Sequence, residues 1–239
     1  MFKCLPYIVL LPVLALSCAG PSRPLQDTGY DNLTTTASGQ PAPDVNDNST
    51  AGNPVSVLLV AEEYDRAIEE AGVALWVNTE NITLREKLAD AYIARAWYYK
   101  VKRLNPNTLN DLSKAVEVAP EYYRAHYELG RFHNNQWQFS VGRLDLDKAL
   151  SLKPDFAPAY SERSYSNYKK QKYEAALDDV NKAIELDAAD GQFYYMRSLI
   201  NRGMGRNDLA MGDLETVLRL SKDKALTDKA GADLQALKK

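Results

Sequence analysis

Cysteine is nearly absent from this chain of 239 residues, which holds two, Cys4 and Cys18, both near its start. No disulfide framework can staple the remainder, and no thiolate is left there to bind a metal. Histidine is as scarce. His126 and His133 share one helical face, but a zinc site wants three or four ligands, so both read as packing side chains. Long apolar runs are missing too. The stretch from Tyr7 to Leu16 is interrupted by Pro12 and falls well short of the roughly 20 residues that cross a bilayer. Nor is there an excess of basic charge: the net charge is -3 and the pI about 5.5, which argues against a nucleic-acid partner. The densest basic group, Lys169, Lys170 and Lys172, reads as a solvated helix end. Catalytic patterns are wanting as well. There is no Gly-x-Ser-x-Gly, Gly203-Met204-Gly205 lacks the third glycine of a phosphate cradle, and Asp178 and Asp179 are helix neighbours that do not face each other. No catalytic residue, metal site or cofactor is expected.

What is present divides into a leader, a polar stretch and a periodic body. Lys3 precedes the apolar run, and Leu14-Ala15-Leu16-Ser17-Cys18 closes it. This pattern resembles a bacterial lipobox. The resemblance implies a signal peptide over 1–17, cleavage before Cys18, and a mature chain held to a membrane by acyl groups on that cysteine, since several chains anchor stably where one is marginal. Ala19 in the next position tilts the expectation toward an outer membrane, in a host that has one. The same residues also fit plain secretory cleavage after Ala19. From 18 to 54 the chain is rich in Pro, Ser, Thr, Gly, Asn and Asp, and with little apolar surface to bury it is expected to form a disordered tether of roughly 30 to 35 Å.

The body repeats itself every 34 residues. Copies beginning at Tyr123, Ala157 and Gly191 place a ring fourth (His126, Tyr160, Tyr194) and a small residue eighth (Gly130, Ser164, Ser198). The twentieth residue is again small (Gly142, Ala176, Ala210), and the twenty-seventh is small or short (Ala149, Ala183, Val217). Small residues at eight and twenty let two helices touch, and rings at four fill the space beside them. Pro120 and Pro154 stand at position thirty-two of successive copies, where Ala188 and Lys222 follow later, so softer turns are expected there. These features resemble the tetratricopeptide repeat (TPR), a helix-turn-helix of this length. The resemblance implies an all-α, right-handed α-α superhelix following the disordered tether.

Taken in order, 55–81 reads as a partial repeat in which Tyr64-Asp65-Arg66-Ala67-Ile68 opens a second helix and the first helix is short or missing. Next, 82–122 reads as a repeat whose first helix is lengthened by about two turns through Trp97 and Tyr99 and closed by Asn105-Pro106-Asn107, a binding feature or a tolerated insertion. Repeats at 123–156, 157–190 and 191–224 follow. Residues 225–239 carry one apolar stripe and are expected to form the helix that covers the last repeat.

In the resembled family the concave wall is built from first-helix positions two, five, nine and twelve. Carried over, these name Arg124, Tyr127 and Arg131; Ser161, Tyr165 and Tyr168; Tyr195 and Arg202; with Trp97 and Lys100 from the lengthened helix. Rings and guanidinium groups of this kind dominate binding hot spots, although amphipathic tyrosines also pack between repeats. The expectation is a non-enzymatic scaffold of the bacterial cell envelope that receives a segment of another protein in its groove. A glycan or peptidoglycan binder is the second reading, and an enzyme accessory subunit the third.

Overall fold

A computed structural model describes residues 54–102 and 105–238. The predicted signal peptide, the lipid site at Cys18 and the tether up to residue 53 lie outside the described residues. The rest is ten helices in succession: α1 (Pro54–Val77), α2 (Ile82–Val101), α3 (Asn105–Val118), α4 (Tyr123–Asn135), α5 (Phe139–Leu152), α6 (Ala157–Lys169), α7 (Tyr173–Leu186), α8 (Gly191–Gly203), α9 (Asn207–Leu220) and α10 (Lys224–Leu237). No strand occurs among the described residues. The chain is an all-α solenoid in which each helix packs mainly on its sequence neighbours.

There is no single core. Four small apolar clusters follow one another along the chain, each centred on a short run of consecutive helices. The small residues make this possible. Ala115, Ala149 and Ala183 are fully buried, as is Val217 at the same repeat position. Ala176 and Ala210 are equally inaccessible two turns earlier on the same helix face. Stacking of this kind is quasi-one-dimensional, so each repeat draws its stability from its neighbours.

Two of the predicted boundaries change. The stretch read as a partial repeat with a short or missing first helix is one continuous helix of 24 residues, α1, which opens ten residues before Tyr64 because apolar and small residues return at helical spacing throughout, Gly72 being tolerated in its interior. The other change concerns α2, which has 20 residues where α4, α6 and α8 have 13. Its additional turns lie at the start. From Ala89 onward the 34-residue register is that of the later repeats, with Ala96, Thr108, Ala115 and Pro120 in the corresponding places. Asn105-Pro106-Asn107 therefore opens α3 and does not close α2, in keeping with proline's tolerance in a helix's first turn.

The turns use two devices. Between first and second helices, Trp137, Gln171 and Gly205 all take φ near +60 to +74, one per repeat. Between repeats, the turns at Pro120 and Pro154 lead into helices whose N-caps, Tyr122 and Phe156, make no side-chain cap. Where proline is lacking, aspartate substitutes. Asp190 accepts from the Gln192 N–H at 2.8 Å and Asp223 from the Ala225 N–H at 2.9 Å, so turns expected to be softer carry side-chain caps.

A concave wall of rings and cations

First helices α2, α4, α6 and α8 pack on one another along the array, whereas among the described residues no two second helices pack comparably. The stack therefore curls with the first helices inside, and their exposed face is the concave wall. Here the ten predicted wall residues fall into two layers. Tyr127, Arg131, Ser161 and Tyr195 are buried, at 1%, 6%, 2% and 8% exposure. Trp97, Lys100, Arg124, Tyr165 and Tyr168 are half-buried, and Arg202 is exposed. The inner four sit between neighbouring repeats and the outer six reach the surface.

Contacts explain the layering. At the N-terminal end, the Arg131 guanidinium lies 4.1 Å and the Lys100 ammonium 4.3 Å from the centre of the Trp97 ring. Arg131 also approaches Glu128 at 3.4 Å, which holds it beneath the surface. Arg124 pairs with Asp90 at 3.5 Å, and the Tyr122 hydroxyl donates to the same carboxylate at 3.0 Å. At the C-terminal end, Asp233 of α10 accepts from the Tyr195 hydroxyl at 2.8 Å and pairs with Arg202 at 3.2 Å. Burial, and then the Asp233 charge, push the Tyr195 phenol upward. Helix α10 thus closes one end of the wall. In the middle, Tyr165 stands edge-on to Phe139, Tyr168 tilts against Tyr173, and the Lys169 ammonium lies over both tyrosines.

Under the wall runs a polar seam between α4 and α6. The Asn134 amide donates to Glu162 Oε1 at 2.8 Å and the Ser166 hydroxyl donates to Asn134 Oδ1 at 2.8 Å. Burial pushes the Glu162 carboxyl up to about 7, and the neighbouring Glu128 charge adds to this against the opposing pull of Asn134, Arg131 and Lys100. A group so placed is partly neutral near pH 7.

A second polar element escaped the sequence reading. Arg163 forks onto Asp179 in the same repeat and reaches back to Asp147 at 2.8 Å. Arg197 does the same with Asp213 and, at 3.0 Å, with Asn181. Arg95 bridges Asp111 at 2.7 Å and Asp65 of α1. Asn167 and Asn201 complete the buried aspartates of their repeats, each at 3.0 Å. The signal was present in the sequence, since Asp111, Asp145, Asp179 and Asp213 recur at 34-residue intervals. In the α4–α5 repeat Leu129 replaces the arginine, and His133 meets Asp145 at 2.8 Å instead. His126 contacts the Pro120 carbonyl oxygen at 2.8 Å. Among the described residues no three His, Cys, Asp or Glu side chains are grouped to hold a metal ion.

Comparison with known proteins agrees with this architecture. The tetratricopeptide repeat family model matches residues 157–190. No curated protein matches the chain. Among solved structures, MamA superposes with a TM-score of 0.52 at 20% identity, over 70% of this chain and 93% of its own. YrrB, described as a TPR protein with an unusual peptide-binding site, gives 0.53 at 19% identity, over 74% and 88%. A tetratricopeptide repeat protein from Parabacteroides merdae ATCC 43184 gives 0.55 at 22%, over 80% and 75%. The α6–α7 unit is thus a tetratricopeptide repeat, and the array has the right-handed superhelical fold of TPR proteins.

Proposed function

We propose that this chain is a lipid-anchored scaffold of the bacterial cell envelope that holds a segment of another protein along its concave wall. The observation that carries the reading is the row of surface-reaching rings and cations on first helices: Trp97, Lys100, Arg124, Tyr165, Tyr168 and Arg202. The rings among them offer rigid amphipathic area at low entropic cost, and the buried layer packs beneath them before a partner arrives. The peptide-binding site in the printed description of YrrB supports the same use of the fold. Cys18 would supply the anchor and the stretch that follows it the reach. The role is non-catalytic, with an outer-membrane location in a host that has one.

The layering dictates the test. Exchanging Arg131 or Tyr195 would disturb packing, so the informative variant carries Lys100→Glu, Tyr168→Ala and Arg202→Glu. Crosslinking capture from native membranes should retain a defined partner with the parent chain and lose it with this variant, whose helicity is checked by circular dichroism. Equal capture by both would refute the groove. Retention on purified cell wall with no protein captured would transfer the wall to a glycan ligand.

A further inference from the structure

Because successive helices alternate in direction, the turns gather on two edges of the solenoid. The turns within repeats, α2–α3, α4–α5, α6–α7 and α8–α9, form one edge. The turns between repeats, with α1–α2, form the other. Their charges differ in sign. Among the described residues the first edge carries Lys102, Lys170, Lys172 and Arg206 in its turns and no carboxylate, with Glu174 and Asp208 just behind in the helices. The second carries Glu80, Glu121, Asp155, Asp187, Asp190 and Asp223 against Lys153 and Lys222. In a chain of net charge -3, a basic edge is a local arrangement.

Trp137 stands near the middle of the basic edge at 71% exposure, with φ at 62° where the corresponding turn of the α8–α9 repeat has Gly205. Its ring meets Phe139 edge-on at 5.8 Å and still leaves most of its surface in solvent. The Lys169 ammonium lies 5.0 Å over its ring, and Lys170 donates to Ser140 at 2.9 Å across the neighbouring turn. Val141 and Leu144 continue the exposed apolar surface along α5. An interfacial indole among lysines matches an anionic bilayer surface, where the ring sits at headgroup level and the ammonium groups meet phosphates.

The entry point of the chain agrees. Tyr64 meets Tyr98 with ring centroids 5.8 Å apart, and Asp65 pairs with Arg95, so α1 runs antiparallel to α2. Pro54, and with it the 53 residues that precede it, therefore joins the solenoid at the basic edge. A tether from Cys18 would draw this edge toward the membrane.

We propose that the edge formed by Lys102, Trp137, Lys169, Lys170, Lys172 and Arg206 docks on an anionic lipid bilayer, leaving the acidic edge outward and the concave wall at right angles to the membrane. This rests on the envelope reading above for the presence of a bilayer, but its test needs no lipidation. The full chain carrying Cys18→Ser is mixed with phosphatidylcholine vesicles with or without phosphatidylglycerol. It should sediment with the anionic vesicles in a salt-dependent manner. Lys169→Glu, Lys170→Glu and Lys172→Glu together should weaken binding at least about tenfold, since each lysine contributes near an anionic surface. Lys153→Glu with Lys222→Glu, on the opposite edge, should leave it unchanged. Brominated lipid should quench a chain whose sole tryptophan is Trp137 and spare one whose sole tryptophan is Trp76, beside the acidic edge. Failure to bind, equal binding by the two lysine variants, or quenching of Trp76 would overturn the proposal, and failure to bind would leave an acidic protein as the occupant. Recovery of the native lipidated protein in membranes alongside such a failure would sink the docking and keep the anchor; loss of the native protein from membranes with vesicle binding intact would do the reverse.

Discussion

The α4–α5 and α6–α7 repeats share a backbone plan and are latched differently. In α4–α5 the helices meet through two glycines: a Cβ added at Gly142 would lie 2.7 Å from the Gly130 carbonyl oxygen and 2.5 Å from Asn134 Oδ1. That repeat has Leu129 and a His133–Asp145 contact. In α6–α7, Ser164 and Ala176 stand where the glycines were, and Arg163 clasps Asp179 within the repeat and Asp147 before it. Close approach holds one repeat and a charged fork holds the other. The difference teaches that a 34-residue register fixes where helices touch, while the chemistry of the touch can be exchanged one repeat at a time.

The largest loss is expected from Arg163→Leu, which gives α6–α7 the side chain of α4–α5 without its glycines. Asp179 would keep only Asn167 as a partner in a buried site. We expect a loss of about 3 kcal/mol in urea unfolding, and a much smaller loss when Asp179→Asn is already present. A loss that is unchanged by Asp179→Asn would show that the fork is ornamental.

Next comes the seam between α4 and α6. Glu162 is raised from 4.5 in the unfolded chain to about 7 when folded. The folded state therefore binds the proton more tightly, so this group's stabilisation is complete below pH 4.5 and is lost as pH climbs through about 7. Glu162→Gln should raise stability at pH 8 by about 2 kcal/mol and leave it nearly unchanged at pH 4, provided the array stays folded there. A difference of the same size at both pH values would contradict the assignment. The corresponding α6–α8 seam has Met196, and Met196→Leu should show no such pH dependence.

An effect of similar size is expected from Gly142→Ala, which forces a methyl group against the Gly130 carbonyl at the closest point of α4 and α5. Overpacking of this kind costs about 2 kcal/mol, read as a lower melting temperature. The smallest is Ser164→Ala. The Ser164 hydroxyl is fully buried with no hydrogen-bond partner, so its removal should change stability by less than about 0.5 kcal/mol, with alanine's helix preference in its favour.

The fold was largely legible because its determinants are local and periodic. Small residues at fixed repeat positions, with rings beside them, could specify only stacked helix pairs, and Ala149, Ala176 and Ala183 lie fully buried. The start of the array was harder to read. With only Gly72 to interrupt the stretch between Pro54 and Val77, a 24-residue helix resembles half of a repeat, and the seven residues added to α2 shift an apparent register without disturbing the face turned inward. The wall positions were legible as positions, but their depth was not. Whether Arg131 reaches the surface depends on Trp97, 34 residues earlier, lying over it in the folded stack. The Arg–Asp fork was hidden for a different reason. Asp179 does point away from Asp178, as helix geometry demands, and its partner is 16 residues off on the other helix of the pair.

If the inner face of the first helices is the working surface, it should touch the partner directly. A photoreactive phenylalanine analogue placed at Tyr168 on that face, and separately at Asp178 on the outer helix α7, would be activated in native membranes. A discrete protein adduct is expected from position 168 and none from 178; an adduct from 178 with none from 168 would move the working surface to the outer helices.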